Sequence, residues 1–181
     1  MKYYLKLGFI LLIFCVVASG ILAYLNTLTA PVIAERKARE AIETREALIP
    51  GATFEAQSTK DNMEYFIARS AADSTQILGY TFVAAQSGYS STVQTMVGVD
   101  KDFKVLAIKV IDQSETPGLG ANCVQESFTG QFKDMVLADL RVDKDGGKVV
   151  SLSGATITSR AITNSIAGSI AAVQADLGGE Q

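Results

Sequence analysis

The chain has 181 residues, a formal net charge of -3 and 48% hydrophobic residues, which describes one modest domain together with an apolar segment. It contains no histidine and only two cysteines, Cys15 and Cys123, so a zinc, haem or iron–sulfur site within this chain is not expected. Because Cys123 is the one cysteine outside the apolar segment, the fold is predicted to lack an intramolecular disulfide. We expect no nucleic-acid partner.

The apolar segment lies at the start of the chain. Residues 7–25 carry no charged side chain, and about 20 apolar residues are enough for a helix to cross a bilayer. Lys2 and Lys6 precede the run, and short lysine-rich flanks stay in the cytoplasm. We therefore predict a single-pass anchor over residues 1–28 in the cytoplasmic membrane, with the rest of the chain on the extracytoplasmic side. A cleaved signal peptide is the alternative, but the run is longer than a usual signal requires.

A helical connector is predicted between the anchor and the folded domain. The run from Thr29 to Pro31 indicates a short break, and residues 32–48 form a run rich in Ala, Glu and Arg that Pro50 and Gly51 end. The connector would cover residues 29–51, leaving residues 52–181 for the domain.

The domain begins with extended runs rather than helical ones. Four β-branched and aromatic runs are bounded by Gly, Asp and Ser, at residues 65–68, 77–85, 92–99 and 103–111. The last two are joined by residues 100–102, which is a hairpin-length link, so an antiparallel meander is predicted. Residues 123–136 carry apolar side chains at helical spacing and residues 139–148 form a charged, solvated loop. The predicted class is α+β, an N-terminal transmembrane helix followed by an antiparallel sheet with packed helices.

Hydroxyl side chains crowd one short run near the C-terminus, Ser153-Gly154-Ala155-Thr156-Ile157-Thr158-Ser159. Apolar residues that recur at helical spacing follow directly: Ala161, Ile162, Ile166, Ile170 and Val173. A helix start carries unpaired N–H groups and a partial positive charge, so this run suits a phosphate group. The alternative is that these hydroxyls only cap the helix.

A second run, Glu115-Thr116-Pro117-Gly118-Leu119-Gly120, has the composition of a tight loop. Pro117 fixes one backbone angle, and Gly118 permits a turn that other residues disfavour. Leu119 is thereby presented as an apolar side chain on a constrained frame. The alternative is a purely structural Pro-Gly turn.

The two runs together resemble the FMN-binding domain family, and the resemblance covers roughly residues 77–172. The run from Ser153 to Thr156 is similar to the flavinylation motif of that family, and residues 115–120 are similar to the loop opposite it. In that family a dedicated flavin transferase joins the phosphate of FMN to the motif threonine through a phosphoester bond, and Thr156 is the matching position. Val150 stands where the fuller motif usually has Asp.

The resemblance implies the cofactor and its contacts. FMN would be covalently attached to Thr156 by its phosphoryl group, close to Ser153, Gly154, Ala155 and Thr158. Glu115, Thr116, Gly118 and Leu119 would lie against the ring or the ribityl chain.

The resemblance also implies a function. A membrane-anchored chain with covalent FMN resembles the G subunit of Rnf-type ion-translocating electron transport complexes, and other membrane subunits would then be its partners. The C subunit of sodium-translocating NADH:quinone reductase is the alternative. Because no substrate-handling motif accompanies the site, an electron carrier is predicted rather than a self-sufficient enzyme. A non-redox anchored binding module and a plain interaction domain are the alternatives from other classes.

Overall fold

The computed structural model describes residues 2–60 and 62–178, and the chain divides into two compact units, residues 1–43 and residues 44–181. Helix α1, Lys2–Leu48, makes up the described part of the first unit and continues into the second. Pro31 lies inside this helix, so the break predicted near residue 30 is wrong. Pro31 has no N–H to donate to the carbonyl of Thr27, four residues earlier, and the helix continues without that one bond.

The first unit contains the apolar part of α1. An 18-residue window of this helix reaches a mean hydropathy of 2.5, and none of it is buried. By length and composition this helix is able to cross a membrane, as the sequence predicted.

The second unit is built on a five-stranded antiparallel sheet in the order β1-β2-β3-β4-β5. Its strands are Ala52–Ser58, Glu64–Ser70, Ile77–Ser87, Thr92–Asp100 and Val105–Asp112. The last four confirm the predicted runs, and the α+β class is confirmed with them. Strand β1 was missed because it contains no valine, isoleucine or tyrosine and lies, mostly exposed, at the edge of the sheet.

Helix α3, Thr156–Gly178, covers one face of the sheet and packs mainly on β3 and β4. The predicted apolar face of this helix is buried there, with Ile162, Ile166 and Ile170 at 1% exposure or less. These side chains belong to the same core cluster as Phe82 and Val97, which are cross-strand partners on that face. The sheet therefore fixes the position of the helix start.

The end of α1, from Thr44 onward, lies against part of the opposite face of the sheet. The guanidinium of Arg45 lies 3.5 Å from the centre of the Phe66 ring, and Lys109 donates to the Thr44 hydroxyl at 3.2 Å. Leu48 and Ile49 are buried. The compact unit thus takes in residues 44–51 in addition to the predicted domain of residues 52–181.

Residues 120–145 form short helical turns rather than the regular helix suggested by the apolar spacing of residues 123–136. The turns are Gly120–Val124, helix α2 at Glu126–Thr129, Gly130–Phe132, Leu137–Asp139 and Asp143–Asp145. Phe128 and Phe132 are buried and meet edge to face at 5.5 Å, whereas Val124 and Val136 are exposed. Asp134 adopts a positive φ of 65°, which a continuous helix does not accommodate. In the charged loop, Leu140 and Val142 are buried between exposed charges.

Candidate functional site

The hydroxyl-rich run forms the entry to helix α3, and the side chain of Ser159 fixes its conformation. The Ser159 hydroxyl accepts a hydrogen bond from the Leu152 N–H at 2.9 Å and donates one to the Ala155 carbonyl at 3.0 Å. Gly154 adopts a φ of +72°, a left-handed conformation that glycine takes without strain. The chain therefore turns sharply into the helix, and the hydrogen bonds of the buried Ser159 hydroxyl stabilise the turn.

The first turn of α3 presents unused backbone donors. The first intrahelical bond recorded at this end runs from the Ser159 N–H to the Ala155 carbonyl, at 3.0 Å. Among the described residues, no hydrogen bond to another group is recorded for the N–H groups of Thr156, Ile157 or Thr158, as expected at a helix N-terminus. These donors and the helix dipole favour an anion at this point.

Glu115, in the 115–120 loop, is 5% exposed, and its carboxylate accepts several hydrogen bonds. Its carboxylate accepts from the backbone N–H groups of Tyr89, Ser90 and Ser91 at 3.2, 3.0 and 2.9 Å. It also accepts from the hydroxyls of Ser91 and Thr158, at 3.2 and 2.6 Å. One carboxylate thus joins the β3–β4 turn, residues 88–91, to the first turn of α3.

This environment keeps Glu115 ionised. Burial alone would raise its pKa, but the hydrogen bonds from Thr158, Ser90, Ser91 and Tyr89 outweigh that effect and lower the pKa to about 2. The negative charge is therefore permanent at neutral pH, and five donors partly offset it.

The two loops predicted from sequence meet in space. A Cβ placed on Gly120 would lie 2.8 Å from both Glu115 Oε2 and Thr158 Oγ1, so only glycine fits between the two side chains. A Cβ placed on Gly154 would lie 3.0 Å from a methyl carbon of Leu119. The 115–120 loop and the entry to α3 therefore form the walls of one site.

A pocket of about 600 Å³ opens between these walls, a volume typical of small-molecule sites. Its lining residues are Tyr89, Glu115, Thr116, Leu119, Gly120, Gly154, Ala155, Thr156, Ile157 and Thr158. Of the residues predicted for the site, Ser153 and Gly118 do not line the pocket and are exposed beside it. Tyr89, Gly120 and Ile157 were not predicted. Gly120 and Ile157 belong to the two runs identified from the sequence, residues 115–120 and 153–159, and Tyr89 lies within the wider resemblance of residues 77–172.

The two candidate threonines of the hydroxyl-rich run differ in accessibility. Thr158 is fully buried and its hydroxyl is committed to Glu115, whereas Thr156 is half-buried and lines the pocket. Among the described residues, no lysine or arginine lines the pocket, and the nearest cation in sequence, Arg160, makes two bonds to Asp145 at 2.6 and 2.7 Å. An anion bound here would therefore be held by backbone donors.

The segment before the motif is anchored by side chains from other elements. The side-chain oxygen of Gln131 accepts from the Val150 N–H at 2.8 Å, and Asp143 accepts from both the N–H and the hydroxyl of Ser151. The Ser151 bonds lower the pKa of Asp143 to about 2. Val150 itself is 60% exposed, so the side chain at this position points away from the core.

Cys123 is a buried thiol next to this site. Burial, and then the charge of Glu115, raise its pKa to about 11, so it is protonated at neutral pH and a poor nucleophile.

Comparison with known proteins gives two family matches that do not overlap. Residues 88–171 match the FMN-binding domain model, and residues 2–47 match the model of the RnfG N-terminal region. The first match contains both loops of the pocket, and the second covers nearly all of α1.

The chain is similar over most of its length to curated proteins. It is 30% identical to the G subunit of the proton-translocating ferredoxin:NAD(+) oxidoreductase complex of Clostridium ljungdahlii, over 94% of this chain and 91% of that protein. It is 33% identical to the G subunit of the ion-translocating oxidoreductase complex of Methanosarcina acetivorans, over 90% of this chain and 93% of that protein.

A solved structure shares the fold. The C subunit of the Na(+)-translocating NADH-quinone reductase from Parabacteroides distasonis superposes with a TM-score of 0.50 at 24% identity, over 61% of this chain and 60% of that one. At this identity the likeness concerns the fold alone.

Proposed function

Because the chain belongs to the family of G subunits of ion-translocating oxidoreductase complexes, we propose that it is an FMN-carrying electron-transfer subunit of such a complex, with the FMN linked to Thr156. The observation that carries the proposal is the pocket in which Thr156 sits on a helix start with unused N–H donors.

The residues of the pocket fit FMN. Its phosphate would lie at the N–H groups of the first turn of α3. These groups would supply the positive potential there, because no lysine or arginine is among the described residues that line the pocket. Leu119 and Ile157 offer apolar surface on the pocket wall at 43% and 51% exposure. When bound, a flavin supplies one-electron and two-electron redox chemistry, and the protein tunes it by hydrogen bonding and burial.

The accessibility of the two hydroxyls favours attachment at Thr156 over Thr158. Esterification joins a threonine Oγ to phosphorus with the net loss of one water relative to free FMN and the free hydroxyl. At Thr158 this would break a 2.6 Å bond to Glu115 and place phosphate against a buried carboxylate. At Thr156 the oxygen belongs to a residue that already lines the pocket. A flavin transferase would act on this exposed entry to the helix.

The family assignment favours the G-subunit type over the C-subunit type of the sodium-translocating reductase. The two relatives described above, matched over at least 90% of this chain, are G subunits, and the N-terminal match is to the same type. In this proposal α1 anchors the chain in the membrane and residues 44–181 lie on the extracytoplasmic side, where the other membrane subunits of the complex would be its partners.

The test is coexpression of the full chain with a flavin transferase, followed by mass spectrometry. The tryptic peptide of residues 149–160 should carry the mass of FMN less one water. Thr156→Ala should abolish the modification, whereas Thr158→Ser should keep it. A colourless protein would favour a non-redox binding module or interaction domain. Loss of the mass in Thr158→Ala together with its retention in Thr156→Ala would move the attachment to the other threonine.

A further inference from the structure

We propose that Tyr89 is the aromatic cover of the flavin ring, held in place by Glu115; this inference rests on the proposed function. Tyr89 is the aromatic residue among those that line the pocket. Its side chain is 73% exposed, and none of the aromatic contacts recorded among the described residues involves it. A tyrosine has an apolar ring and a polar end that can stay in water, so an open tyrosine at a pocket is suited to contact the ring of a ligand.

The turn that carries Tyr89 is rigid. The Gly88 N–H donates to the Ser91 carbonyl at 2.7 Å, which closes residues 88–91 between β3 and β4. Three successive N–H groups of this turn, beginning with that of Tyr89, bind the Glu115 carboxylate. The Tyr89 backbone is therefore fixed relative to the pocket before any ligand binds, and little backbone freedom remains to be lost when its ring makes a contact.

Three separate segments place apolar side chains on the pocket. Tyr89 comes from the β3–β4 turn, Leu119 from the 115–120 loop and Ile157 from the first turn of α3. Each is more than two-fifths exposed. A planar three-ring system tethered at Thr156 would bury surface on all three, and offset stacking of the phenol on the ring adds to that burial. Glu115 acts as a positioning residue here, because the recorded bonds from the turn and from Thr158 occupy its oxygens.

The proposal predicts a fluorescence signature. A phenol stacked on a photoexcited flavin transfers an electron to it, and the electron then returns to the phenol, so emission is quenched and nothing is consumed. Phenylalanine keeps the packing but is a much poorer electron donor. The readout is therefore sensitive to the phenol itself and not only to the shape of the side chain.

The experiment uses the full chain, coexpressed with the transferase and purified in detergent. Flavin emission is measured before and after unfolding in denaturant, which releases the ring from its contacts but keeps the covalent link, so the ratio is independent of loading. The parent protein should brighten severalfold on unfolding. Tyr89→Leu and Tyr89→Phe should be bright when folded, with ratios near one, and Tyr89→Trp should restore the quenching.

Tyr80→Phe is the matched control, because Tyr80 is buried against Phe103 and does not line the pocket. It should leave the ratio unchanged. If the peptide of residues 149–160 carries no flavin, the proposed function fails. If the flavin is attached but Tyr89→Leu keeps the parent ratio, the inference about Tyr89 is overturned.

Discussion

Replacing Glu115 with glutamine is expected to destabilise the sheet-containing unit by about 3 kcal/mol at neutral pH. The pKa of this carboxyl falls from 4.5 to about 2 in the folded chain, and a pKa change of one corresponds to about 1.4 kcal/mol of preference for the ionised form. Glutamine keeps the shape of the side chain but removes the charge, and its amide N–H₂ group would face donors. For a unit of this size the loss corresponds to a melting temperature lower by roughly 10 °C.

The effect should depend on pH with a definite sign. Because the folded-state pKa lies below the unfolded one, the stabilisation is present above pH 4.5 and is lost as the pH falls toward 2. About 2 of the 3 kcal/mol should be gone at pH 3. The parent and the Glu115→Gln variant should therefore differ most near pH 7, and their melting temperatures should converge in acid.

The assay is thermal unfolding of the detergent-solubilised full chain, followed by circular dichroism at several pH values. Glu126→Gln is the control, because Glu126 is exposed at the start of α2 and the same substitution there should change little. Equal melting temperatures of the parent and Glu115→Gln at pH 7, or a difference that stays constant down to pH 3, would refute the reasoning.

Three further outcomes are expected. Thr158→Val removes a donor to the buried carboxylate and should destabilise the unit by about 2 kcal/mol in the same melts, whereas Thr158→Ser should recover most of the loss. Cys123, buried and with a raised pKa, should resist alkylation at pH 7 until the protein is unfolded, as peptide mass spectrometry would show; rapid labelling of the folded chain would contradict its burial. A reporter enzyme that works only outside the cytoplasm should be active when fused after Gln181. Activity of a reporter that works only in the cytoplasm would reverse the proposed topology.

The local features of this protein could be predicted from its amino-acid order alone. The uncharged run of residues 7–25 predicted the apolar helix, and the apolar period after residue 160 predicted the buried face of α3. Four strands followed from their β-branched runs. These features are readable because each depends on the spacing of residues that are near one another in the chain. The same local reading failed at Pro31, where a long helix tolerates a lost hydrogen bond, and at β1, whose pairing depends on β2.

The joining of the two loops into one pocket depends on long-range packing. The bond between Glu115 and Thr158 joins residues 43 positions apart, and the turn that carries Tyr89 lies a further 24–26 positions before Glu115. No sequence period relates such positions; the pairing of β3 with β4 and the packing of α3 on that sheet bring them together. The sequence motifs alone indicated that Glu115 and both threonines belong to a site. The different accessibility of Thr156 and Thr158 is decided by the tertiary structure, in which the buried carboxylate of Glu115 binds the Thr158 hydroxyl.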